Sequence, residues 1–171
     1  HLGVMLDEQG RYGEAEPYFR RALAIQTAVF GDDHPQRTAS MDNLALCLQM
    51  QGRNEDSRDM HMQALELRRR MLGPQHPDTA LTENNLGWDY MGLEQSDTAA
   101  EHFARALAGF EATFGPEHPR VAMAAESLAL AETAREHYDE AEALHRRALA
   151  VRRKTLGDDH PNVALSLNGL G

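Results

Sequence analysis

Hydrophobic and polar residues along this chain recur with the period of helices. After Pro77 the stretch from Asp78 to Met91 contains no breaker until Gly92. Its apolar residues Leu81, Trp88 and Met91 fall near one helical face, and Leu86 and Tyr90 fall near another. Such a helix has packing partners on two sides, as in an inner layer. Short polar turns, Gly10-Arg11-Tyr12 and Gly52-Arg53-Asn54, each lead into a second helix. The second of these is predicted from about Glu55 to Leu72, with Ala64, Leu65 and Leu72 facing its neighbours.

The pattern repeats. His-Pro occurs at His34-Pro35, His76-Pro77, His118-Pro119 and His160-Pro161, always 42 residues apart. Gly31, Gly73, Gly115 and Gly157 each stand three residues before the His. In the same register lie Leu2, Leu44, Leu86, Leu128 and Leu170, each followed by Gly or Ala. The segment from Arg11 to Pro35 matches that from His137 to Pro161 at 14 of 25 positions. Each unit therefore reads as two helices, repeated along the chain. A glycine closes the second helix, and Pro opens the next first helix while forcing the preceding His out of helical conformation. That His is predicted to sit at or beside the N-cap.

Composition narrows the function. Acidic residues outnumber basic ones by 27 to 17, for a net charge of −10, the wrong sign for a general nucleic-acid binder. No apolar run approaches the ~20 residues that span a bilayer, so no membrane partner is expected and a cytoplasmic location is. Cys47 is the sole cysteine; it follows Leu46 in an apolar helix and reads as a buried, inert thiol. No phosphate loop or nucleophile elbow is present. The four spaced histidines, on units stacked ~10 Å apart, cannot converge on one metal ion. No catalytic residue, cofactor or metal is expected. The basic runs Arg68-Arg69-Arg70 and Arg152-Arg153-Lys154 read as solvated helix ends suited to the dipole. Glu132, Glu136, Glu140 and Glu142 read as a solvated face. Arg20-Arg21 and Arg146-Arg147 read as partners of Glu on adjacent turns.

Leu86-Gly87, Tyr90, Ala99, Phe103 and Ala106, with Leu2-Gly3, Leu6, Ala15, Phe19 and Ala22 in the first unit, resemble the tetratricopeptide repeat. The 42-residue spacing, Asn84-Asn85-Leu86-Gly87 and the Gly-x-x-His-Pro loop resemble its kinesin light chain subclass. The standard repeat has about 34 residues, and the eight extra predict longer helices rather than a new loop. His61 and His145 depart from the aromatic at Phe19 and Phe103, and Asn54 and Ser96 depart from Tyr12 and Tyr138. These departures read as degeneration, greatest in the second unit. The resemblance implies an all-α, right-handed superhelical solenoid of antiparallel helix pairs. Residues 1–171 form a single array, expected to be a stretch of a longer one: a partial unit (1–35), full units (36–77, 78–119, 120–161) and a start (162–171).

The resemblance also implies that the first helices line a concave groove that holds a peptide or helix. Mapped here, its candidates are Val4 and Asp7; Asp42, Leu46 and Gln49; Leu81, Asn84, Trp88 and Met91; and Met123, Glu126, Leu130 and Thr133. These positions hold no Lys or Arg, which predicts a neutral-to-basic amphipathic protein or peptide partner, with Asn84 available to hold its backbone. The implied function is a non-catalytic protein-interaction scaffold. The alternative is a structural spacer or self-association module of a larger, bacterial multidomain protein. End-to-end self-association through Leu2, Leu167 and Leu170 is expected.

Overall fold

The structure, a computed structural model, describes residues 2–158 and 160–168. Among them every regular element is an α-helix. The helices form two compact units, residues 1–74 and 75–171. In the first, α1 (Leu2–Glu8), α2 (Tyr12–Phe30), α3 (Gln36–Gln49) and α4 (Asn54–Leu72) pack in chain order, each against the next. In the second, α5 (Pro77–Gly92), α6 (Ser96–Phe114), α7 (Pro119–Ala134), α8 (Tyr138–Leu156) and α9 (Pro161–Asn168) do the same, and α5 also touches α7. The second helices α2, α4, α6 and α8 each run 19 residues. The length beyond a standard repeat thus lies in helix, as the spacing predicts. Leu170, in register with Leu2, lies outside the described residues.

The Gly-x-x-His-Pro loops work as stop and start signals. The ring nitrogen Nδ1 of His34, His76, His118 and His160 accepts the backbone N–H two residues on, at 3.2, 3.2, 3.1 and 3.1 Å. One side chain thus satisfies an otherwise orphaned donor at each first-helix start. Phe30 and Phe114, each the last residue of a second helix, stack on the following His34 and His118 at 4.6 and 4.3 Å.

The turns inside each pair are less uniform. In all four, a backbone N–H reaches back five residues: Arg11 to Leu6, Arg53 to Leu48, Gln95 to Tyr90 and His137 to Glu132, at 2.9–3.0 Å. Closing this bond requires a left-handed residue. Gly10 and Gly52 supply it at φ +73° and +76°, but Glu94 and Glu136 hold the same place at +59° and +64°. A side chain there costs roughly 1–2 kcal/mol.

Packing is tightest where first and second helices cross. A Cβ on Gly87 would lie 2.4 Å from the ring of Phe103, which is fully buried. In the 42-residue register, Gly3 likewise accompanies Phe19, whereas Ala45 accompanies His61 and Ala129 accompanies His145. The smaller ring is matched by the larger helix residue. His61 and His145 are buried in place of the aromatics, so these departures are fitted substitutions.

Candidate ligand-binding face of the first helices

One register position of the first helices is apolar and partly exposed in every unit: Val4 is 45% exposed, Leu46 38%, Trp88 38% and Leu130 40%. Large apolar side chains at other first-helix positions, such as Leu44, Leu48, Leu86 and Val121, are buried. Each compact unit therefore presents one pair of these side chains, Val4 with Leu46 in the first and Trp88 with Leu130 in the second. Trp88 meets Phe103 edge-on at 5.4 Å, and its side chain stays partly exposed. Leu81 and Met123 are half-buried against the alanine-rich core of the second unit, and Met91 against Ala99, Ala100 and Phe103. Gln49 is half-buried, and exposed Thr133 donates its hydroxyl to the carbonyl of Ala129 at 2.9 Å.

Four residues before Leu46, Trp88 and Leu130 stand Asp42, Asn84 and Glu126. Asp42 and Glu126 turn out to be tied inward by ion pairs, and Asn84 is buried. Asp42 pairs with Arg68 at 2.6 Å, both nearly buried. Glu126 pairs with Arg152 at 3.1 Å and with His145 at 3.0 Å, and accepts from the Ser166 hydroxyl at 3.3 Å. Arg68 and Arg152 are equivalent in register, as are His61 and His145. Where the first helix carries an acid, the second carries His and Arg 19 and 26 residues later. In the unit with Asn84 those two positions are Phe103 and Phe110. Asn84 is buried there, and its Oδ1 accepts no hydrogen bond from the described residues. A second substitution compensates in the same unit: Glu83 binds His102 at 2.7 Å and Arg105 at 3.4 Å, where the other units carry Met41 with Met60 and Ala125 with Leu144.

These contacts revise two sequence readings. Each basic run spends its charges on ion pairs. Arg70 pairs with Asp33, Lys154 with Glu117 at 2.5 Å and Arg153 with Asp158 at 3.0 Å. Arg70, Arg153 and Lys154 and these partners stay largely exposed, as solvated helix ends do, whereas Arg68 and Arg152 are drawn inward to Asp42 and Glu126. Glu132 is also tied, to Arg135 at 2.9 Å and His137 at 2.8 Å. The Arg20–Glu16 and Arg146–Glu142 pairs form across one helical turn, at 2.7 and 2.5 Å, as predicted. Burial pushes the Cys47 thiol up, and its Sγ lies 3.2 Å from the carbonyl of Tyr12, which suits an inert packing residue. Sequence reasoning missed Glu83, His102, Arg68 and Arg152, because each is recognisable only beside its register partner on the paired helix.

The exposed apolar position is shallow. A cavity of about 480 Å³ at the pair turns is lined by Ser96, Asp97, Arg135 and His137 among others, and includes neither Trp88 nor Leu130. An apolar cavity of about 440 Å³ in the first unit, lined by Leu23, Ala24, Leu44 and Met60 among others, includes neither Val4 nor Leu46. Among the described residues no helix is long and apolar enough to cross a membrane.

Helix pairs repeated at a fixed period, each packed against the next within its unit, define a helical-repeat protein. The sequence model described as Tetratricopeptide repeat matches residues 1–70, 37–112, 89–154 and 120–171. The chain belongs to the tetratricopeptide repeat family. A search of curated proteins finds no match. Among solved structures, a kinesin light chain protein of nearly identical TPR-like repeats from Podosopora anserina is similar at 27% identity. It has a TM-score of 0.85, covering 99% of this chain and 80% of that one. BtubC (BKLC) from P. vanneervenii is similar at 23% identity and TM-score 0.87, covering 99% and 67%. RapI in its apo form is similar at 15% identity and TM-score 0.79, covering 98% and 45%. The latter two likenesses bear on the fold alone.

Proposed function

We propose that this chain is a non-catalytic protein-interaction scaffold whose first helices bind an amphipathic peptide or helix of neutral-to-basic character. The observation that carries the proposal is the recurrent exposure of Val4, Leu46, Trp88 and Leu130. A core position has no reason to stay apolar and open in every unit, and exposed apolar side chains held by rigid helices are what partner side chains bury. Shallow exposed sites of this kind within each unit suit an extended or helical segment better than a small molecule. Trp88 is the strongest anchor, since tryptophan is enriched among residues that dominate binding energy.

The charge preference rests on the net charge of −10. Asp42 and Glu126 add little to it, because Arg68 and Arg152 pair with them from within. Basic residues on the ligand therefore speed encounter more than they tighten the complex. Asn84 has an acceptor to offer a ligand N–H once its amide turns outward, and buried Oδ1 has no competing donor among the described residues. Calorimetric titration with acidic and basic versions of one apolar peptide tests the reading. The basic version binds more tightly at low salt, and the two converge as salt rises. Tighter binding of the acidic version contradicts the proposal.

A further inference from the structure

The apolar groove of the first unit differs in charge from its counterpart in the second. Leu23, Ala24, Thr27 and Ala28 of α2, Leu44 of α3 and Met60 of α4 line its cavity of about 440 Å³, with Arg20 and Arg37 also at its walls. In the second unit the positions of Leu23, Thr27 and Leu44 are taken by Leu107, Glu111 and Leu128. There Glu111 of α6 pairs with Arg147 of α8, so a carboxylate–guanidinium tie joins the two second helices. In the first unit the same two positions are Thr27 and Gln63, which carry no charge. The groove is independent of the short α1. Ala104, Ala108 and Ala112, equivalent to Arg20, Ala24 and Ala28, are exposed too, although α5 before them has 16 residues.

Arg37 is the exceptional residue of this groove. Its register equivalents Thr79, Val121 and Val163 are uncharged and buried. Arg37 holds the same place with a side chain only 14% exposed. One terminal nitrogen donates to the backbone carbonyl of Asp32 and lies 3.3 Å from that residue's carboxylate, which is itself 82% exposed. Nε is buried and has no hydrogen-bond partner among the described residues. A buried guanidinium donor left unmatched is costly, and the exposed Asp32 leaves it unmet. Arg20, by contrast, is held by Glu16 at 2.7 Å. The groove thus sets one unsatisfied charged donor beside an apolar floor. Small-ligand sites share that composition, with mostly apolar walls and a few polar groups that fix orientation.

We infer that this groove binds a medium-chain alkyl carboxylate, its carboxylate on Arg37 and its alkyl chain along Leu23, Thr27 and Leu44 toward Met60. Arg37 stands in the first turn of α3, just after the C-terminal end of α2, so the head lies at that end of the groove and the tail runs back along α2. From Arg20 to Ala28 the lined stretch of α2 rises ~12 Å, enough for a medium-chain tail and too short for a partner helix of several turns. The volume also falls within the range of about 300–1,000 Å³ that small-molecule sites occupy. A planar carboxylate matches the guanidinium fork, taking Nε and a terminal nitrogen in two parallel bonds. The second unit makes the same pairing from its own Glu111 and Arg147. The net charge of −10 opposes an anion at long range, where salt screens it, whereas Arg37 acts at contact. This inference is independent of ligand binding by the first helices.

Calorimetric titration of the whole chain with decanoate, below the concentration at which it forms micelles, tests the inference against decanol and decyltrimethylammonium. Decanoate binds at one site per chain, decanol about tenfold more weakly or worse for want of the charged partner, and the cation more weakly still. Each methylene from octanoate to decanoate tightens binding about fourfold. Arg37→Val copies Val121, so circular dichroism keeps the wild-type helicity, while decanoate binding weakens about tenfold or more and decanol binding is unchanged. Ala24→Phe fills the groove from an exposed position and abolishes binding of both. A wild-type chain that takes up no decanoate, decanol bound as tightly as decanoate, or an Arg37→Val chain with wild-type decanoate affinity overturns the inference. Undiminished binding by Ala24→Phe overturns it too, by placing the ligand elsewhere.

Discussion

Replacing Gly87 with Ala and Phe103 with His, singly and together, tests whether the departures from the repeat pattern are coupled. In Gly87→Ala the new Cβ lies 2.4 Å from the Phe103 ring, and that ring is 0% exposed with nowhere to retreat. Overpacking of this kind costs about 1–3 kcal/mol, and the helix gains about 0.5–1 kcal/mol by losing a glycine. The net loss is about 0.5–2 kcal/mol. Phe103→His removes aromatic volume from the core. Full truncation of a buried Phe costs about 3–5 kcal/mol, and the smaller imidazole keeps part of that contact, leaving a loss of roughly 2–3 kcal/mol. The double variant recreates the Ala129–His145 arrangement. The clash is gone, the Cβ fills part of the space, and the ring can donate to Asn84 Oδ1, as His145 does to Glu126 at 3.0 Å. The double variant is therefore more stable than the sum of the singles by about 1–2 kcal/mol. Urea unfolding monitored by circular dichroism, compared at constant slope, reads this coupling. Additivity within about 0.5 kcal/mol refutes the claim that the two positions are matched by size.

Three further outcomes follow from named contacts. Glu94→Gly and Glu136→Gly each remove a left-handed side chain costing roughly 1–2 kcal/mol against an entropic loss of about 0.5–1 kcal/mol; each raises stability by up to about 1 kcal/mol in thermal melts, and a fall in melting temperature for both counts against strain in these turns. Arg68→Ala strands the nearly buried Asp42 carboxylate and destabilises by about 3–5 kcal/mol, whereas Asp42→Asn with Arg68→Phe, the Asn84–Phe110 combination, restores most of it; equal losses in the two variants contradict the register equivalence. Burial works to raise the Glu16 carboxyl, but hydrogen bonds from Arg20, Gln51 and Arg53 outweigh it and hold it below its ordinary value. A depressed carboxyl stabilises the fold above its unfolded pKa and loses that contribution as pH falls through its folded value. Glu16→Gln is therefore less stable than wild type at neutral pH and equal to it well below about pH 4, as pH-dependent denaturation measures; a gap that persists in acid removes the assigned role.

Much of this fold was legible because its signals are local. Gly and His-Pro at fixed distance end one helix and start the next, and the His cap acts within two residues. Period and face also placed Leu46, Trp88 and Leu130 on the first helices. What the pattern hid were pairings between helices. His61 and His145 looked like eroded aromatics until each was set beside Ala45 and Ala129, and Arg68 and Arg152 looked like solvated ends until set beside Asp42 and Glu126. A residue judged against the repeat consensus at its own position reads as drift. The same residue judged with its partners 16, 19 and 26 residues away reads as a compensated change. The candidate site was the least legible, since Asp42, Asn84 and Glu126 stand one turn before Leu46, Trp88 and Leu130, while Asp42 and Glu126 are held by the second helices and Asn84 is buried.

The central claim is that the exposed apolar position of the first helices binds a partner, and Trp88 fluorescence tests it most directly, because it is the only tryptophan. Titrating the wild-type chain with a basic amphipathic helix that lacks tryptophan should shift the emission to the blue as the indole is buried. In Leu130→Asp, which places a charge at an exposed position beyond Trp88 in the same unit, the titration midpoint should move at least tenfold to weaker binding with the helical signal unchanged. A midpoint that stays where the wild type has it, or a wild-type emission that never moves while calorimetry records binding, would place the ligand elsewhere on the molecule.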